Sequence, residues 1–160
     1  MSRLIALPEI RKAVVAKVRA HPPFAAGFDS GKYGVLQGDK IYDALAAAPQ
    51  DANKAPLIAA MPYLVLKSPN DQRDSLTRVF GQAGSTNRLL IDVWSPHHAS
   101  QTEALWIYGQ LVSLFDEAFL VMLGHRVVTG TVELLFCEPD EDGRSMHAVV
   151  SYSLSTRNVP

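Results

Sequence analysis

The chain has 160 residues, 48% of them hydrophobic, and a formal net charge of −1 at pH 7. This length and apolar content are typical of one domain with its own core, so residues 1–160 are interpreted as a single domain. A charge so close to zero disfavours a nucleic-acid backbone or an anionic membrane as the main partner. The lone cysteine, Cys137, excludes an internal disulfide and any zinc site that needs two thiolates.

Hydropathy predicts no membrane span. No stretch approaches the roughly 18 consecutive apolar residues that a spanning helix needs. The apolar run at the N-terminus is short and is interrupted by Pro8, which does not fit a secretory signal. Together with the single cysteine, these features predict a protein that is made and used in a cytoplasm.

The first predicted element is an amphipathic helix with a basic outer face. Pro8 suits the first turn of a helix, and Pro22 ends the apolar pattern. The cations before residue 20 are opposed only by Glu9; such a face is usually solvated, and the alternative is an electropositive rim that meets an acidic neighbour. The apolar face is Ile10, Val14 and Val18, and the cations are Arg3, Arg11, Lys12, Lys17 and Arg19.

Two short strands and two irregular segments are expected next. The strands are predicted over residues 40–44 and 62–66, and an Ala- and Pro-rich excursion over residues 44–62 separates them. Residues 68–86 are long for a structureless loop in a compact domain, which favours a functional or disordered segment. An embedded aromatic favours a binding loop, while packing of Phe80 on the core is an equally good interpretation. The candidate contact residues of this loop are Arg73, Arg78 and Phe80.

A strand followed by a helix is predicted over residues 87–119. Period-2 alternation predicts a strand with one buried face, and Ser100–Glu103 has the pattern of a capping box at the start of a helix. Trp94 ends the strand, and Trp106 falls on the side of the helix opposite its apolar stripe, so both are candidates for a protein–protein interface. The alternative is that Trp94 belongs to the core, which is an equally good interpretation, and that a loop covers Trp106. The predicted buried strand positions are Leu89, Ile91 and Val93, and the predicted stripe is Leu105, Tyr108, Val112, Phe115 and Phe119.

A long hairpin is predicted to complete the chain, with arms at Val127–Cys137 and Ser145–Ser155 and an acidic turn between them. Gly130 inside the first arm indicates a bulge or a close backbone approach. In the first arm, one face is expected to carry Val128, Val132, Leu134 and Phe136. In the second arm, the corresponding face is Met146, Ala148, Val150, Tyr152 and Leu154. The opposite face of the second arm, which could be exposed to solvent, is His147, Val149, Ser151 and Ser153.

The order of these elements predicts an α+β fold. The expected architecture is a single domain with a mainly antiparallel sheet of about four to five strands, two principal helices on one face and a long C-terminal β-hairpin.

The sequence offers no convincing catalytic set. His97 and His98 could form a metal or polar site with Asp92, but loop histidines ahead of a helix are the better interpretation; His147 stands alone. No nucleophile elbow or phosphate loop is present, and Glu138 beside Cys137 should raise the pKa of that thiol. We therefore expect no enzyme activity, no cofactor, no metal and no direct recognition of nucleic acid. The arginines around Phe80 are offset by nearby carboxylates.

A series of short segments resembles the tail-completion family of long-tailed phages, whose members are tail terminators that also occur in gene-transfer agents. The similarity covers most of the chain, from the first helix to Ser155, and rests on the order of the segments rather than on one motif. The segments are Lys40-Ile41-Tyr42-Asp43, Pro62-Tyr63-Leu64-Val65-Leu66, Leu90-Ile91-Asp92-Val93-Trp94-Ser95, Gly124-His125-Arg126-Val127-Val128 and Asp140-Glu141-Asp142-Gly143-Arg144. The excursion over residues 44–62 is longer here than in typical members.

The resemblance implies a homohexameric ring that caps the tail tube, stops its polymerisation and offers a surface for joining the head. Its implied partners are further copies of itself, the tail tube protein and the connector or neck proteins. The implied location is the neck end of the tail in the virion, with assembly in the host cytoplasm. Another neck, head-completion or adaptor protein is the nearest alternative, and a small ligand-binding or hydrolytic α+β domain is a more distant one.

Overall fold

In a computed structural model, the described residues are 7–26, 40–42, 48–67, 84–116, 120, 122–141 and 143–158. They include the helices α1 (Leu7–Arg19), α2 (Pro22–Ala26) and α3 (Thr102–Phe115), and a 3-10 turn at Ile58–Ala60. The strands are β1 (Ile41–Tyr42), β2 (Tyr63–Lys67), β3 (Gly84–Ser95), β4 (His125–Pro139) and β5 (Met146–Asn158).

The strands form one mixed sheet in the order β1-β2-β3-β5-β4. The pair β1–β2 is parallel, and the other neighbours are antiparallel. The predicted α+β class, the five strands and the C-terminal hairpin are confirmed. No helix in the described part of the chain is long and apolar enough to cross a membrane.

The main core lies between the sheet and the helices α1 and α3. On β3, Leu89, Ile91 and Val93 are fully buried and alternate along the strand, as predicted. Their register partners on β5 belong to the buried set predicted for that arm, Tyr152, Val150 and Ala148. The helices cover this side with the predicted α1 face and with α3, so this face of the sheet is the inner face.

The buried stripe of α3 is displaced by one residue from the prediction. It consists of Ala104, Ile107, Leu111 and Phe115, whereas Leu105 is 38% exposed and Tyr108 and Val112 are only partly buried. The prediction is confirmed at Phe115 and was wrong at the three earlier positions, because α3 is apolar around most of its circumference and periodicity alone does not choose the face. Phe119 lies outside the described residues.

The capping-box prediction was also wrong. The residue at the N-cap position is Gln101, and it makes no side-chain cap hydrogen bond. Glu103 is buried instead and accepts a hydrogen bond from Ser95 Oγ at 2.7 Å. The free amide of Thr102 donates to Ser100 Oγ at 3.2 Å. Glu103 therefore bonds to a residue at the end of β3, whereas a capping box would have it bond to the backbone at the start of the helix.

The hairpin is confirmed, but two register shifts, at Val127/Thr129 and Leu134/Phe136, change which side chains face inward on β4. Val132 is buried as predicted, whereas Val128 is 46% exposed and Phe136 is 42% exposed. A bulge inserts an extra residue and so reverses the alternation beyond it, which sequence periodicity does not reveal.

The close backbone approach predicted at Gly130 is confirmed. A Cβ atom at this position would lie 3.2 Å from Tyr152 Cε2 and 3.5 Å from the carbonyl oxygen of Phe115. The absence of a side chain therefore allows the Tyr152 ring to pack over β4.

Helix α3 runs beside the edge strand β4 and binds to its backbone at both ends. Gln101 Nε2 donates to the carbonyl oxygen of Cys137 at 2.6 Å, and Asp116 Oδ1 accepts from the amide of Val132 at 3.1 Å. These side chains occupy backbone groups that an added strand would use, which is one way that proteins protect a sheet edge.

The opposite face of the sheet, the outer face, is partly covered by residues 48–62. Met61 and Ile58 of this segment pack with Tyr63, Val65 and Trp94 in a second apolar cluster. The prediction of a single buried face on β3 was therefore wrong, because Asp92 and Trp94 are buried on the outer side.

Candidate interaction surface on the outer face

Three aromatic rings form a continuous stack from the interior to the surface of the outer face. Trp94 and His147 are register partners on β3 and β5, and their rings stack with centroids 4.0 Å apart at an interplanar angle of 4°. Phe136 on β4 meets the His147 ring edge-on, with centroids 5.3 Å apart. Trp94 is 6% exposed, whereas Phe136 is 42% exposed. A partner that contacts Phe136 would therefore contact a ring that His147 and the buried Trp94 hold in place.

A buried carboxylate lies beneath this stack. Asp92 is fully buried; its Oδ2 lies 2.6 Å from Lys67 Nζ, and its Oδ1 lies 3.4 Å from His147 Nε2. A buried carboxylate needs such partners, because removal from water penalises the charged form. His147 is thus not isolated, as the sequence had indicated, because the strand register brings it beside a residue 55 positions away.

Burial raises the pKa of a phenol in the outer cluster and of a thiol in the main core. Burial raises the pKa of Tyr63 to about 12, and Tyr42 and Asp92 add to the rise. Burial, followed by the charge of Glu138, raises the pKa of the Cys137 thiol. The predicted direction for Cys137 is confirmed, so the reactive thiolate is disfavoured at neutral pH.

The face of β5 that the sequence left open to solvent, from His147 to Ser153, is largely buried. Val149 is 7% exposed and Ser151 is 1% exposed. Arg88 Nε donates to Ser151 Oγ at 2.7 Å, so this arginine is engaged within the sheet. The hydrogen bond and the aromatic stack explain why these positions are covered.

The histidines before α3 do not gather around Asp92. His97 Nε2 lies 3.9 Å from Glu103 Oε2, and the amide of His97 donates to Ser95 Oγ. Ser95 donates to Glu103, which is not the hydrogen bond to an imidazole that activates a serine nucleophile. Among the described residues, no group of three or more His, Cys, Asp or Glu side chains could hold a metal ion.

Trp106 is partly buried rather than on a fully wet side of α3. Its ring meets Phe24 of α2 edge-on, with centroids 6.0 Å apart. The connection between α1 and α2 is tied to the same helix, because His21 Nε2 lies 2.8 Å from Gln110 Oε1. The short helix α2, which the sequence analysis did not predict, is therefore the element that covers part of Trp106.

The other interface candidates, Arg73, Arg78 and Phe80, lie outside the described residues. The end of the predicted loop is shifted, because Gly84, Ser85 and Thr86 belong to β3 and pair with β5.

An exposed apolar pair that the sequence analysis missed lies at the second bulge of β4. Leu135 is 44% exposed and stands next to Phe136, whose exposure is similar. Glu133 and Glu138 flank the pair on the same strand and are exposed. The only sequence signal for it is the uninterrupted run Leu134-Leu135-Phe136, which breaks the alternation of the arm.

The family model described as tail completion protein gp17 matches residues 33–157, which include β1 to β4, α3 and all of β5 except its last residue. One similar solved structure is a chain from the virion of a native gene transfer agent particle, with a TM-score of 0.65 and 19% sequence identity. The similarity covers 96% of this chain and 98% of that chain, and at this identity it shows the fold. No curated relative matches in sequence.

Proposed function

This chain belongs to the tail completion protein gp17 family, and on that premise we propose that it is a tail terminator: a hexameric ring that caps the finished tail tube. It is a structural protein of the phage virion that takes part in tail completion. In the proposed role, the ring stops polymerisation of the tube protein and presents a surface to the connector or neck proteins. The ring forms in the host cytoplasm and remains at the neck end of the tail.

The family match over residues 33–157 is the observation that carries this proposal. The arrangement of the polar groups supports an assembly role rather than turnover of a substrate. Asp92, Glu103 and Ser95 are buried and engaged with neighbouring side chains, and the exposed groups of the outer face include an apolar pair. Such a surface suits contact with other proteins.

A ring requires a heterologous interface, in which one patch meets a different patch of the next copy. We place Trp94 beside such a patch, because it supports Phe136 through His147. Trp106 is proposed to border the other side, where it is still partly exposed beside Phe24. Arg73, Arg78 and Phe80 are proposed to contact the tail tube.

Electron microscopy of tails assembled without this protein tests the function. Tails longer than those of the wild type are expected, because nothing halts addition of the tube protein. Tails of normal length that fail to join heads would instead identify a neck or head-completion protein. Addition of the purified protein during tube growth should restore the normal length.

Trp106→Ala tests the proposed interface. Large aromatic side chains dominate the binding energy at protein interfaces, so fewer rings are expected on tube ends by electron microscopy, without loss of the folded state. Trp106→Phe is the matched control, because it keeps a ring against Phe24. Normal ring occupancy in a folded Trp106→Ala protein would show that this residue lies away from the contact.

A further inference from the structure

We infer that subunits join by contact between the acidic bulge of β4 on one copy and the basic outer face of α1 on the next. The acidic bulge is the exposed pair Leu135 and Phe136 with Glu133 and Glu138 beside it. This inference rests on the proposed ring and names its two complementary patches.

The acidic bulge combines apolar contact area with one sign of charge. Residues 133–141 contain four carboxylates, at Glu133, Glu138, Asp140 and Glu141, and no lysine or arginine. Two large apolar side chains more than 40% exposed at the edge of a sheet are an association risk unless a partner covers them. The partner that this chemistry fits carries positive charge around a surface of small or aliphatic side chains.

Helix α1 of a second copy has that chemistry. The helix carries four cations against the single carboxylate of Glu9. Lys12 and Arg19 are exposed, whereas Arg11 donates to a backbone carbonyl of β2 and Lys17 Nζ lies 5.9 Å from the centroid of the Phe115 ring. Between them the helix presents partly or fully exposed small apolar residues, which include Val15 and Ala16. The Lys12 side chain is 74% exposed although its Nζ lies 3.0 Å from Glu9, so it remains available to a neighbour.

The two patches are different surfaces of the subunit, as the contact between successive copies of a ring requires. The half of α1 around Arg11 lies toward the β1–β2 end of the sheet, whereas Lys17 lies over the Phe115 ring of α3. Helix α1 packs against β1, and Arg11 Nη2 donates to the carbonyl oxygen of Leu66 on β2 at 3.4 Å. The strands β1 and β2 form one end of the sheet, and β4 forms the other. Opposite charges on the two patches favour contact between unlike patches and oppose contact between like patches.

Side-chain contact fits this edge better than strand addition. Gln101 and Asp116 occupy the carbonyl oxygen of Cys137 and the amide of Val132 on β4. A strand of the next copy would have to displace both hydrogen bonds before it could pair there. The bulge between Leu134 and Phe136 also interrupts the regular spacing of the edge.

Charge reversal with rescue tests the contact. The variants are E133K/E138K and K12E/R19E, which reverse exposed charges on the two patches. Ring occupancy on tube ends is counted by electron microscopy, and self-association is measured by sedimentation velocity. Each double variant is expected to weaken association about tenfold, because two exposed attractions become repulsions. Mixed in equal amounts, the two double variants present complementary charge wherever they alternate, so the mixture should recover assembly. The quadruple variant restores complementary charge at every contact and should recover assembly as well.

A control for the reversal of an exposed cation is K54E, because Lys54 lies in residues 48–62 rather than on α1. Circular dichroism establishes that each variant is folded. Association of the folded variants at wild-type strength, or a quadruple variant no better than the double variants, would overturn the inference. Loss of tube binding in E133K/E138K without loss of self-association would also overturn it, because the bulge would then serve the tube. Wild-type protein that caps tubes in the same experiment keeps the proposed function separate from this outcome.

Discussion

Replacement of Lys67 should destabilise the protein more than replacement of Asp92, although the two residues form one ion pair. Asp92 is fully buried, whereas the side chain of Lys67 is 41% exposed, and their charged atoms are 2.6 Å apart. Lys67→Met leaves a buried carboxylate with only His147 as a nearby cation, and His147 carries charge only when protonated. Asp92→Asn leaves an ammonium group that water can reach.

The expected free-energy cost follows from this difference in exposure. Loss of one partner of a buried pair costs about 3 kcal/mol, the lower end of the usual range because His147 remains. For a domain of this size that loss lowers Tm by roughly 6–12 °C. Asp92→Asn should cost only about 1 kcal/mol, since the remaining charge is hydrated. Adding Asp92→Asn to Lys67→Met should therefore recover about 2 kcal/mol of the stability lost.

Urea and thermal denaturation followed by circular dichroism measure these changes. Lys12→Met is the matched control, because Lys12 pairs with Glu9 at 3.0 Å but is 74% exposed, and its loss should change stability by less than about 0.5 kcal/mol. A Lys67→Met protein as stable as Asp92→Asn, or a double variant less stable than Lys67→Met, would refute the argument from burial.

Other stability changes follow from the packing around β4 and α3. Gly130→Ala should destabilise by about 1–3 kcal/mol, because the new Cβ would lie 3.2 Å from the Tyr152 ring; Gly109→Ala, with no atom within 4 Å, should stabilise α3 by up to about 1 kcal/mol. Equal effects of the two substitutions in urea denaturation would contradict the close approach. Burial, followed by the charge of Asp116, raises the pKa of Tyr152 to about 12. The folded state therefore favours the neutral phenol, and this contribution to stability is fully present below pH 10 and is lost as pH rises toward 12. Tyr152→Phe should match the wild type within about 0.5 kcal/mol at pH 7, since the hydroxyl has no hydrogen-bond partner among the described residues, and should lose less stability above pH 10. A steeper alkaline loss in Tyr152→Phe than in the wild type would contradict this assignment.

The sequence by itself determined the order of the main elements and one face of the sheet. The alternation of apolar residues along β5 predicted its buried face, because strand side chains repeat every second residue whatever the strand pairs with. The same reasoning placed Leu89, Ile91 and Val93 in the core. The direction of the pKa shift of Cys137 was also predicted; burial is its larger cause, and the charge of Glu138, which follows it in the chain, is the part that the sequence reveals.

The tertiary structure decided the features that depend on contacts between distant segments. The face of α3 that is buried depends on packing against the sheet, because Leu105 and Ala104 are both apolar and only Ala104 points inward. The ion pairs of Asp92 depend on register, because Lys67 and His147 come from the strands on either side of β3. The exposure of Phe136 depends on a bulge that reverses the alternation of β4. Hydrophobic periodicity predicts the local structure of one segment, whereas burial of both sides of a strand depends on the other segments that pack against it.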